Sequence, residues 1–186
     1  MSLLIVGISV FMLVHTLPWL PALRLRVINA LGEKPYKGIY SLISLSGFVM
    51  IVLGMRGVPY VPVYEPAASA HIVTAALMFP ALYLLIGRRT GSNVRRLTAH
   101  PMMWGISFWA GGHLLANGDL ASLILFCSFL IYSVLDMLSA NSRGARPVSE
   151  AAPLTAEIKP LMITIIAYVL LFSLHPWIAG VSLGGV

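Results

Sequence analysis

The chain has 186 residues, 59% of them hydrophobic and only 10% charged, with a mean hydropathy of +0.90; soluble domains carry about 25% charged residues, so the composition excludes one and specifies an integral membrane protein. The formal charge of +6 sits in loops between apolar runs, where it encodes orientation rather than nucleic-acid binding. The single cysteine, Cys127, lies within an apolar run and excludes an intramolecular disulfide or a cysteine-based zinc motif.

A bilayer core about 30 Å thick needs roughly 20 apolar residues per helix, so the expected architecture is an all-α, polytopic membrane bundle of about six transmembrane helices, forming one domain over residues 1–186. The first apolar run, residues 2–21, lacks a positive n-region and a small-residue cleavage site, which makes it a retained helix rather than a signal peptide. It carries His15 and Thr16, with Pro18 and Pro21 near its end, where a lost backbone donor is easiest to tolerate. Arg24, Arg26, Lys34 and Lys37 follow, opposed only by Glu33. A second helix over 39–55 presents Gly47 and Gly54 for close helix contact. The next loop, 56–70, holds three prolines, two tyrosines and one basic residue, a composition suited to an interfacial segment. The third helix, 71–86, opens on His71.

Four arginines with no acid among them, Arg88, Arg89, Arg95 and Arg96, then form a basic loop. The fourth helix spans 101–116, with Pro101 at an early position where proline is tolerated. Asn117-Gly118 turns the chain into a fifth helix, 119–138, and the two make a helical hairpin. Residues 139–159 are polar and are expected to form a mobile cytoplasmic loop. The sixth helix, 160–180, carries Tyr168, Phe172 and His175. Lys and Arg counted loop by loop run four, one, four, none and three. This alternation puts loops one, three and five inside and both termini outside.

Titratable groups inside a bilayer are costly and mark function by default. The chain has five histidines, His15, His71, His100, His113 and His175, but no acidic cluster or arginine ladder of an ion pump or voltage sensor. Imidazole is a usual axial ligand of haem iron, and a bundle interior supplies apolar walls for a porphyrin. A bare zinc or iron site normally recruits a further ligand such as a carboxylate or cysteine, which the apolar runs scarcely provide. At about 1.5 Å of rise per helical residue, His113, His71 and His175 fall in one outer layer and His15 somewhat deeper. His100 falls at the inner surface beside the arginines, where capping or anchoring is expected of it.

Several short runs, in order, resemble one family across nearly the whole chain: His15-Thr16-Leu17 with Arg24; Gly32-Glu33-Lys34 followed by Tyr40; Thr98-Ala99-His100-Pro101 with Trp104-Gly105; His113 with Asn117-Gly118-Asp119; and His175-Pro176-Trp177-Ile178-Ala179-Gly180. Together they resemble the NnrU family, associated with bacterial nitrogen-oxide metabolism and sharing its membrane domain with the plant zeta-carotene cis-trans isomerase, a haem b protein. The resemblance implies haem b as cofactor, with His15 and His113 as axial ligands. A cysteine that precedes the second ligand in that isomerase is Ala110 here, so the resemblance does not carry thiolate switching, and the usual Arg-His-Pro is Ala99-His100-Pro101. His175 and His71 stand as reserve ligands, with Arg24 and Asn117 as supporting residues of the cofactor site.

The expected function is a haem-based redox or nitrogen-oxide-related component, in contact with lipid, haem and a redox partner or hydrophobic small molecule. A second reading is a haem-dependent cis-trans isomerase of a carotenoid-like polyene. A third rests on membrane methyltransferases, which share a His-Pro-aromatic-x-Gly segment; here the aromatic place is Met103 and the acidic, tyrosine-rich segment after the hairpin is missing, so it ranks last. Asn117 stands one turn after His113, where its side chain bonds exposed carbonyls or leads the chain through a left-handed turn beside Gly118.

Overall fold

Proline and glycine punctuate the first third of the chain. In the computed structural model, which describes residues 1–179, α1 (Ser2–Thr16) stops short of Pro18 and tightens into one 3-10 turn, Leu17–Trp19. Pro21, at the first helical position, starts α2 (Pro21–Leu31). Gly32, at φ 85°, ends α2 and leads directly into α3 (Glu33–Arg56). The first predicted helix therefore ends at Thr16 rather than at residue 21, and the second starts at Glu33 rather than 39. The segment read as a basic loop contains a short helix whose leucines and arginines are mostly exposed, the composition of a helix lying in a membrane interface.

The remaining elements are α4 (Ala70–Gly87), α5 (Val94–Leu97), α6 (Pro101–Ala116), α7 (Leu120–Ser142), a 3-10 turn Leu154–Glu157, and α8 (Ile158–Ala179). Among the described residues five stretches are long and apolar enough to cross a membrane: Ser2–Trp19, Glu33–Arg56, Ala70–Gly87, Leu120–Ser142 and Leu154–Trp177. The sixth expected span, α6, has 16 residues, about 24 Å of helix, and lies between α4 and α7, packed on both. The long helices follow one another across the bundle as α3, α1, α7, α6, α4 and α8, each packed on the next.

Surface and core invert the soluble pattern. Leu13, Leu42 and Ile72 are among the most exposed side chains, while Thr74, Ser107, Ser122, Ser133 and Thr164 are buried. Small residues make the helix contacts. On α3, Gly47 and Gly54 lie against the α1 backbone at Phe11 and Leu4, and Gly7 of α1 lies against Ile51. Across α4 and α6, Gly105 and Gly112 leave room for Ala81, Thr74 and Met78, and the Thr74 hydroxyl lies 2.6 Å from the Gly112 carbonyl. Leu4, Ile8, Ile51, Ala110, Leu125 and Phe126 belong to the apolar core between these pairs.

Both ends of the bundle are strapped. The segment after α3 crosses the α6–α7 turn, where Val63 and Tyr64 N–H groups donate to the Gly118 carbonyl (2.8 and 3.1 Å) and the Leu120 N–H donates to Val61 (2.9 Å). Glycine is required at 118 because a Cβ there would overlap the Tyr64 carbonyl; its φ is not positive. At the other end, residues 143–157 form a clasp instead of the expected mobile loop. Asn93 exchanges two hydrogen bonds with the Ala152 backbone at 2.9 Å and donates to Glu157 through its backbone (2.6 Å) and side chain (2.8 Å). The Tyr83 hydroxyl also donates to Glu157, and Val148 N–H donates to Arg95.

Candidate cofactor site

Two histidines stand one helical turn after an aromatic residue, and both adopt the same local arrangement. On α1, His15 Nδ1 lies 2.6 Å from the Phe11 carbonyl and its ring stacks on Phe11 at 4.2 Å. On α6, His113 Nδ1 lies 2.8 Å from the Trp109 carbonyl, with the two rings 5.4 Å apart. A carbonyl only accepts, so each Nδ1 carries a proton, and in the neutral imidazole Nε2 is then the nitrogen with the lone pair. That is the tautomer a ligand histidine needs, held by its own helix.

The surroundings differ. His113 stacks on Phe126 of α7 at 4.7 Å, and its ring centroid is 6.4 Å from that of His175 on α8, at an interplanar angle of 28°. His15 instead meets Tyr40 of α3 at 5.4 Å and Tyr132 of α7 at 6.3 Å, and the Tyr132 hydroxyl donates to the His15 carbonyl at 2.9 Å. No direct contact joins His15 to His113 among the described residues. A run of rings does: Phe11 to Phe129 at 5.6 Å, Phe129 to Trp109 at 5.4 Å, then His113. Their contacts on α7, Tyr132 and Phe126, are separated by about 9 Å of helix rise.

The other anticipated residues scatter. His71 is exposed in the first turn of α4. Arg24 lies over the Tyr36 ring at 5.8 Å, near the His15 end of the rings. His100 anchors the start of α6, with Nε2 2.7 Å from the Asn141 side chain. Asn117 is extended (φ −124°, ψ 110°), not left-handed. Its side-chain amide donates to the His113 carbonyl at 2.8 Å, beside its own backbone N–H at 2.9 Å, and its carbonyl accepts from Tyr64 at 2.9 Å. The side chain thus closes the last turn of α6 directly on the histidine.

Phe11, Trp109, Phe126 and Phe129 escaped the reading of single residues. For Phe11 and Trp109 the signal was an aromatic-to-histidine spacing of four, to His15 and to His113; Phe126 and Phe129 have no such spacing. No group of three or more His, Cys, Asp or Glu side chains gathers as a bare-metal site among the described residues.

Long lipid-facing helices, small-residue interfaces and titratable rings held inside them define a polytopic α-helical membrane protein. The chain belongs to the NnrU family, whose model, described as NnrU protein, matches residues 3–183. No curated protein and no solved structure matches it.

Proposed function

We propose that this NnrU-family protein binds haem b in the membrane through His113 and His175 and serves as a redox or nitrogen-oxide-related component. The observation that carries the reading is the 6.4 Å between the two ring centroids. Two imidazoles turned edge-on to one metal, each bonded at about 2 Å through nitrogen, would have their centroids at roughly that separation. The donor chemistry fits as well: His113 offers Nε2, its orientation is fixed through Trp109 and Asn117, and Phe126 and Trp109 supply apolar walls. The family resemblance points to His15 with His113; the ring geometry favours His175 as the partner of His113. Bound haem would supply one-electron chemistry, or gas binding if one ligand is labile. The family resemblance points to a bacterial inner membrane, multi-pass, and the alternation of basic loops supports placing both termini on its periplasmic side.

The test is the absorption spectrum of protein purified from haem-replete cells. A Soret band is expected in the parent and in His15→Ala, and its loss or shift in His113→Ala and His175→Ala. Retention in His175→Ala with loss in His15→Ala would restore the His15–His113 pair. A colourless parent with no extractable haem would refute haem binding, and failure of the reduced protein to bind nitric oxide would remove the nitrogen-oxide role.

A further inference from the structure

We infer that the groove between α1 and α3 is a binding site for a membrane hydroquinone, whose ring hydroxyls are held by His15 and Tyr40. The groove has a volume of about 340 Å³ and is lined by Phe11 and His15 from one helix and by Tyr40, Ser44, Leu45 and Phe48 from the other. It lies at the His15 end of the rings, away from His175. The assignment concerns binding alone and does not rest on the haem reading.

The chemistry of the lining selects the occupant. His15 Nδ1 is committed to the Phe11 carbonyl, which leaves Nε2 of the neutral imidazole as the acceptor that calls for an O–H donor. The Tyr40 ring stands edge-on to it at 5.4 Å. Its hydroxyl has no protein hydrogen-bond partner among the described residues, while Ser44 is turned back to the Tyr40 carbonyl at 2.8 Å. The imidazole and the phenol therefore line one small groove together with the Phe11 and Phe48 rings. A ring hydroxyl that donates to Nε2 and accepts from Tyr40 satisfies both.

Other membrane molecules fit less well. A phosphate or carboxylate headgroup needs a cation, yet no Lys or Arg lines the groove, and Arg24 is occupied over Tyr36. A bare hydrocarbon would leave the imidazole and the hydroxyl unsatisfied. Leu45 and Phe48 are 58% and 52% exposed on the lipid side of α3, which gives an apolar tail its exit. Tyr40 stands about 10 Å along α3 from Glu33, below the charged residues that begin the helix.

The experiment uses the full chain in detergent and measures calorimetric binding of a decyl-substituted benzohydroquinone, under anaerobic conditions, against its O-methylated diether. The diether keeps ring and tail but has no O–H. The hydrogen bond to Nε2 that the diether cannot make is worth about five-fold in affinity, so the parent should bind the hydroquinone about five-fold tighter than the diether. Tyr40→Phe should lose about five-fold while keeping the ring, His15→Leu should abolish the preference for the hydroquinone, and Leu45→Trp should block both ligands by filling the groove. His100→Ala, remote from the groove, should change nothing. Equal binding of the two ligands, hydroquinone binding indifferent to Tyr40→Phe and Leu45→Trp, or displacement by phosphatidylglycerol would overturn the assignment. Loss of haem in His15→Leu with hydroquinone binding intact would also overturn it, giving His15 to iron.

Discussion

Replacing Gly54 with alanine adds one methyl group at the tightest point of the α1–α3 interface. Its Cβ would stand 2.6 Å from the Leu4 nitrogen and 2.7 Å from the Leu4 Cα, where ordinary contact begins at 3.4 Å. Both obstacles are backbone, so no side chain can swing away and the helices must separate by about 1 Å, a gap that forfeits a quarter to a half of each local dispersion contact. Overpacking of this kind costs about 1–3 kcal/mol, offset by up to about 1 kcal/mol of better helix propensity. Gly38→Ala isolates the second term, because Gly38 sits on the same helix, exposed, with nothing within 4 Å of its would-be Cβ. Thermal unfolding of the purified protein in one detergent should therefore show Gly54→Ala melting below the parent and Gly38→Ala at or above it. If Gly54→Ala melts with the parent, or both variants fall equally, close backbone contact does not hold this pair together.

Asn117→Leu removes the side-chain bond to the His113 carbonyl and should leave insertion intact while shifting the Soret maximum or midpoint potential of bound haem; an unchanged spectrum and potential would reduce Asn117 to a turn residue. Asn93→Leu deletes three side-chain hydrogen bonds of the clasp, about 1 kcal/mol each, so limited proteolysis between 145 and 153 should speed up by as much as ~100-fold; parental cleavage rates would show that Glu157 and Tyr83 suffice. Reporter fusions after Pro59 and after Arg95 should report the outer and the cytoplasmic side respectively, and the reverse assignment would refute the orientation drawn from the basic loops.

Depth along the helices was legible in the sequence, and rotation was not. Counting residues placed His113 and His175 in one layer, and their rings do meet; it placed His71 there too, but each residue turns the helix by about 100°, and that rotation leaves His71 exposed. Apolar length found the five helices long enough to cross a membrane and the shorter α6 at its expected bounds. It missed α2 because eleven residues with alternating arginine and leucine carry too little hydropathy to register as a span. Gly47 and Gly54 read correctly as contact points since small residues at helix spacing have few other uses in a membrane. The clasp was invisible because polar composition alone cannot tell a free loop from one whose hydrogen bonds are met by a distant asparagine.

The split of the candidate site between α6 and α8 has a consequence for how the protein is made. His113 lies on a helix that finds its neighbours α4 and α7 on either side, whereas His175 arrives on α8, synthesised after all of them and seated against α4 through Tyr168, whose hydroxyl donates to the Ala75 carbonyl at 3.1 Å. Until α8 docks, His113 stands without His175 beside it. If haem binds as proposed, its loading becomes a checkpoint on completed insertion, and a ribosome-bound chain halted before Pro160 would hold the earlier helices yet fail to load it.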